Sequence, residues 1–224
     1  IDLDFRADVK LPRLKSRIGL FLSTSEPNEL PGAGPEDVDN TLLAGFEKIF
    51  AIAQLPFLNT YAGVKVKAWP ALIAGIDLKP KFQWGETEIL PQQKLFWLSD
   101  ETGFGGLTSL RIRWTPRDDL LFQSLTAASY DEGTDGTELE QSFLASFSAE
   151  GTFKDLDQGH ALRLGVFGTK NGSAVVDYYR VAYQYRRNIY RKWLFTQIGP
   201  EVEFPDEQNW EPVLGFRIGF DVLF

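Results

Sequence analysis

Strict alternation of apolar with polar or small residues constrains this chain more than any other feature. At the start, Ile1, Leu3, Phe5, Ala7, Val9 and Leu11 share one side of an extended backbone, and Asp2, Asp4, Arg6, Asp8 and Lys10 share the other. At the end, Leu214, Phe216, Ile218, Phe220, Val222 and Phe224 alternate with Val213, Gly215, Arg217, Gly219, Asp221 and Leu223. A period of two is the signature of strands, because successive side chains of an extended chain point to opposite faces. Between the ends the pattern recurs. Thr60, Ala62, Val64 and Val66 oppose Tyr61, Gly63, Lys65 and Lys67; Leu72, Ala74, Ile76 and Leu78 oppose Ile73, Gly75, Asp77, Lys79 and Lys81. Further on, Leu139, Phe143, Ala145 and Phe147 oppose Glu140, Ser142, Ser146 and Glu150, and Val181 and Tyr183 oppose Arg180 and Gln184. Alternation alone leaves the solvent open, since a sandwich in water and a barrel in lipid both have one apolar face.

Composition narrows the choice. Apolar residues make up 43% of the 224 residues, a share expected of a transmembrane barrel too, because half of each strand then faces a polar interior. No run approaches the ~18 to 20 consecutive apolar residues of a spanning helix. Aromatics reach 14%, with 18 Phe, 7 Tyr and 6 Trp, high for a domain in water and natural for the girdles of a membrane barrel. Without Cys there is no disulfide, thiol nucleophile or thiolate metal site. The lack of Met, even at position 1, predicts a processed or shortened chain, with a removed secretory signal as the simplest reason. A net charge of -8 argues against nucleic acid as a partner, which would call for a basic footprint.

Two resemblances follow from particular residues. Arg217-Ile218-Gly219-Phe220-Asp221-Val222-Leu223-Phe224 resembles the C-terminal signal of bacterial outer-membrane β-barrels, in which a polar residue, a Gly, a hydrophobic residue and a terminal aromatic stand at Arg217, Gly219, Val222 and Phe224. Pro12-Arg13-Leu14, Lys94-Leu95-Phe96-Trp97 before the acidic turn Asp100 to Gly105, and Arg191-Lys192-Trp193-Leu194-Phe195 make the series similar to uncharacterised proteobacterial outer-membrane barrel proteins. The resemblance implies an all-β, antiparallel up-and-down transmembrane β-barrel spanning residues 1–224 as a single domain. It also implies placement in the outer membrane with the C-terminus periplasmic and the acidic loops extracellular. The implied partners are outer-membrane lipid, lipopolysaccharide and the barrel assembly machinery, together with partner proteins if the barrel belongs to an envelope complex.

About 13 strand-like segments fit the ~10-residue spans of such barrels. Their even-number rule predicts 12 to 14 strands, and 14 if one strand precedes Ile1. Pro80 cannot donate to a ladder and predicts a local break. Asn171-Gly172 predicts a hairpin turn. Turns are also expected at Pro12, at Thr115-Pro116-Arg117-Asp118, at Lys154 to Gly159 and at Arg187-Asn188. Ser25 to Asn40 and Asp131 to Thr137 read as acidic loops, and Leu42 to Gln54 as a strand that local patterning would also allow as a short helix.

If the apolar faces meet lipid, the opposite faces line a lumen. The expected lining is Arg6, Lys10, Lys65, Lys67, Lys79, Lys81, Arg111, Arg113, Arg163, Arg180 and Arg217, with Asp77, Glu140, Glu150 and Asp221. Tyr61, Trp69, Phe167, Trp193 and Phe195 are expected to point inward as well. This interior leans basic, which would favour small anions. Two functions follow: a narrow porin-like passage for small solutes or ions, anion-leaning, or a closed barrel acting as scaffold or subunit of an envelope complex. An outer-membrane lipid-modifying enzyme is disfavoured. It would hang on His160, the sole histidine, and barrel phospholipases place a Ser two residues later, where this chain has Leu162. His160 is read as a solvated turn residue. Asp131-Glu132-Gly133-Thr134-Asp135-Gly136 lacks the closing Glu of a calcium loop, and Gly103-Phe104-Gly105-Gly106 lacks the Lys-Ser/Thr of a phosphate loop. No catalytic residue, metal or cofactor is expected.

Overall fold

A computed structural model describes residues 6–10, 19–23, 42–47, 57–66, 70–99, 103–132, 136–147, 158–190 and 194–222. Strands β1 to β5 are Arg6–Lys10, Gly19–Ser23, Leu42–Glu47, Leu58–Val66 and Ala71–Leu78. Next come β6 Phe82–Trp84, β7 Thr87–Leu98, β8 Phe104–Arg117, β9 Leu120–Asp131 and β10 Thr137–Phe147. The last are β11 Gln158–Asn171, β12 Ser173–Tyr190, β13 Leu194–Pro205 and β14 Val213–Val222, with one 3-10 turn at Asp206–Gln208. The protein is all-β, and no helix among the described residues is long and apolar enough to cross a membrane. The strands form an antiparallel up-and-down sheet in which sequence neighbours pair in order, apart from β6, which pairs β7 beside β5. Along that path 13 strands follow one another among the described residues.

The chain packs as two compact units. The first comprises residues 1–81, 90–110 and 127–138, the second residues 82–89, 111–126 and 139–224. In the first, β4 and β5 pair from Leu58↔Leu78 to Lys65↔Ala71, and β5 pairs β7 from Ile73↔Leu98 to Leu78↔Gln93. In the second, β6 meets β7 from Phe82↔Ile89 to Trp84↔Thr87, so pairing with β7 lapses at 79–81, around the Pro80 that has no N–H to give. There too β11 and β12 close a tight hairpin with Asn171↔Ser173 in register and Gly172 at φ +79°, a left-handed conformation that glycine adopts at no steric cost. The segment at Leu42–Glu47 is a strand, paired with β2 and β4.

Three local expectations give way to pairing. Turn chemistry at Thr115-Pro116 is overridden: β8 runs through to Arg117, and the turn is Asp118–Asp119. Arg187 and Asn188 are not a turn either. They lie within β12, opposite Thr196 and Phe195 of β13, because a ladder partner on β13 holds them extended whatever their local preference. Gln158 and Gly159 open β11 rather than end a turn, which places His160 inside a strand. The expected turn at Pro12 and the loop from Ser25 to Asn40 lie outside the described residues, as do positions 133–135 and 154–157.

Candidate functional site: the charged buried face

Over much of the sheet burial is inverted relative to a protein core in water: large apolar side chains are exposed, and charged and polar ones are shielded beside apolar ones. In β5, Ala71, Ile73 and Asp77 are buried while Leu72, Ala74 and Ile76 between them are exposed. In β8 to β12 the exposed series includes Leu110, Ile112, Trp114, Phe122, Phe143, Leu162, Leu164 and Val181. The shielded positions include Ser109, Ser129, Glu140, Ser142 and Arg180. Lys65 is 1% exposed and Leu214 is 81% exposed. Folding in water hides apolar surface and leaves ammonium groups outside, so this inversion is the property to be explained.

In the second unit the shielded face is a network of arginine and glutamate. Arg180 of β12 is held by Glu203, its register partner on β13, and its guanidinium lies 5.3 Å from the centroids of both Phe167 and Tyr178. Those rings stack at 4.5 Å, presenting a π surface to the cation. Arg217 of β14 reaches Glu201 at 2.9 Å. Arg113 Nε donates to Gln123 Oε1 at 3.1 Å, and its guanidinium stands 4.0 Å from Glu88. Arg186 lies 4.2 Å over the Phe195 ring. Glu140, fully buried, accepts the Ser142 hydroxyl at 2.7 Å, and its charge acts on both Arg111 and Arg163.

The first unit is different. Asp77 accepts the Gln92 amide at 2.9 Å and meets Lys79 at 2.6 Å. Ile73, Phe96 and Leu98 form a buried apolar cluster with Tyr61 against it. Leu107, Leu125 and Ala127 are buried too. Alternation in the sequence does not assign Phe96, Leu98, Leu107, Leu125 or Ala127 to the inward face. The available signal was Leu95-Phe96-Trp97-Leu98, a run apolar on both faces where alternation assigns neither side.

The expected lining residues divide as follows. Lys65, Asp77, Glu140 and Arg180 are buried; Arg111, Arg113, Arg163 and Arg217 are partly buried. Lys79 and Lys81 are exposed, and Lys79 pairs with the buried Asp77. Arg6, Lys10, Asp221 and Val222 lie in β1 and β14 with side chains outside the described set, and Lys67, Glu150, Trp69, Trp193 and Phe224 fall outside the described residues. Phe167 and Phe195 are buried and Tyr61 partly so. Gly219 takes its place in β14 opposite Gln197.

His160 is a correction. It sits in β11 with Nδ1 2.6 Å from the Tyr183 hydroxyl and its ring 5.0 Å from that of Tyr185, held by cross-strand neighbours rather than solvated in a turn. Asp131 likewise ends β9 buried, and Glu132 accepts the Phe104 N–H at 3.1 Å, so this end of the acidic segment is tied to β8. No group of three or more acidic, His or Cys side chains suited to a metal occurs among the described residues.

Polar groups on the exposed faces find each other. In the first unit Thr108 donates to Gln93 at 2.6 Å. In the second, Gln141 accepts from Thr126 and donates to Ser124 at 3.2 Å. Comparison with known proteins finds no matching family model, no matching curated protein and no matching solved structure.

Proposed function

We propose that this protein is a bacterial outer-membrane β-barrel whose shielded face lines a narrow, anion-leaning passage for small solutes or ions. The observation that carries the reading is the inverted burial: Lys65, Glu140 and Arg180 shielded, Leu72, Leu214 and Phe216 exposed. Lipid outside and a polar interior make that arrangement favourable, whereas water outside would make it costly. The paired glutamines of the exposed faces suit a medium that offers no hydrogen bonds. Aromatic placement agrees. Tyr179 packs on Trp210 at 5.1 Å and Tyr185 on His160 at 5.0 Å, and both tyrosines, on one face of β12, suit the aromatic girdles that flank the apolar band of such barrels. In this reading lipid and lipopolysaccharide contact the exposed face, and Arg217, Gly219, Val222 and Phe224 form the signal taken up by the assembly machinery.

Planar-bilayer recording of the purified chain tests the passage. Discrete conductance with reversal potentials favouring the anion is expected; silence in every salt overturns it. The apolar cluster Ile73, Phe96 and Leu98 favours a second reading, a closed barrel serving as scaffold or subunit of an envelope complex. Gentle solubilisation from the native membrane separates the two: a stoichiometric partner with no conductance supports the scaffold.

A further inference from the structure

Among the described residues of the second unit's shielded face, arginines outnumber glutamates. Six arginines, Arg111, Arg113, Arg163, Arg180, Arg186 and Arg217, stand with four glutamates, Glu88, Glu140, Glu201 and Glu203. Three of the glutamates are committed, Glu203 to Arg180, Glu201 to Arg217 and Glu88 to Arg113. Glu140 is left between Arg111 and Arg163, both of which feel its charge, and Arg113 adds its repulsion to Arg111. Arg111 Nε is buried with no hydrogen-bond partner among the described residues. A guanidinium keeps its proton at any physiological pH, so an unfilled donor here cannot be relieved by deprotonation. A buried donor left empty costs about 1–3 kcal/mol, more for a charged group.

Small residues stand opposite three of these arginines in the ladder. Arg163 faces Ala182 across β11 and β12, Arg180 faces Gly165, and Arg217 faces Gly199 across β13 and β14. Both Arg111 and Arg163 remain partly exposed, so a solute can reach them.

We propose that Arg111 and Arg163 form a binding site for a small oxyanion, a solute carrying a phosphate, sulfate or carboxylate group. The planar fork of a guanidinium matches two oxygens of such a group, which chloride cannot offer. Glu140 sets the strength: one carboxylate against two guanidiniums leaves net positive charge without making the site irreversible. This deepens the anion-leaning passage and rests on it for its physiological role, although binding itself can be measured without a membrane.

The test uses the full chain refolded in a phosphate-free detergent, so that no lipid headgroup supplies the anion. Inorganic phosphate is titrated calorimetrically against chloride at matched ionic strength. Saturable phosphate binding is expected, absent with chloride and weakened at least tenfold in Arg111→Gln and in Arg163→Gln. Arg111→Lys and Arg163→Lys keep the charge and lose the fork; they too should weaken binding, and they carry the comparison if the Gln variants do not fold. Equal binding by the wild type and the folded variants, or equal saturation by chloride, overturns the site. Bilayer recording of the same preparations separates this from the passage. Phosphate binding without current keeps the site and removes the passage, and current with no phosphate binding does the reverse.

Discussion

Tyr61 and Gly75 are register partners on β4 and β5, and a Cβ added to Gly75 would lie 2.5 Å from Tyr61 Oη and 2.6 Å from its Cζ. The phenol ring occupies the space that a side chain would take. Gly75→Ala should therefore destabilise the protein by about 1–3 kcal/mol through overpacking. Reversible urea unfolding measures this, and a Tyr61→Leu background should recover only part of the penalty, because the Leu95 carbonyl oxygen would also lie 2.7 Å from that Cβ. Arg180 and Glu203 give a second case. Removing the carboxylate in Glu203→Ala takes the ion-pair partner from a buried guanidinium, at a cost of about 3 kcal/mol, while Arg180→Met/Glu203→Leu should recover most of it. A strictly additive double variant would show that the pair is not coupled. The inward direction of Arg180 is legible from alternation with Val181 and Tyr183. Its partner is not, because Glu203 lies on another strand and only the β12–β13 register brings the two together.

Strands were more legible than the turns between them. The Asn171-Gly172 hairpin and the break at Pro80 carry backbone chemistry that no partner can override: a residue free to adopt positive φ, and a residue with no N–H. Arg187-Asn188 and Thr115-Pro116 carry only preferences, and the ladder outweighed them by keeping β12 and β8 extended. In β7 the apolar run Leu95 to Leu98 puts Phe96 and Leu98 on the shielded face and leaves Leu95 and Trp97 exposed. A hydrophobic girdle inside a proposed passage restricts it by size and by dewetting. Phe96→Ala/Leu98→Ala should therefore raise single-channel conductance severalfold in bilayer recordings; unchanged conductance would place the restriction elsewhere.

For the whole molecule the decisive question is the medium around the exposed face. Ile218 in β14 is 61% exposed, and Ile218→Lys discriminates between media. On a lipid-facing strand the substitution should cost about 2–4 kcal/mol near the midplane, read by tryptophan fluorescence during unfolding from phospholipid vesicles. On a surface in water it would change stability by about 0.5 kcal/mol or less. Sequence alone determined that the chain is built of strands and which side chains share a face, since a period of two is a property of neighbouring residues and needs no partner. The tertiary structure decided which face is shielded, that part of it is apolar, and which glutamate each of Arg113, Arg180 and Arg217 meets. Those are relations between strands distant in sequence, set by register and burial rather than by local order.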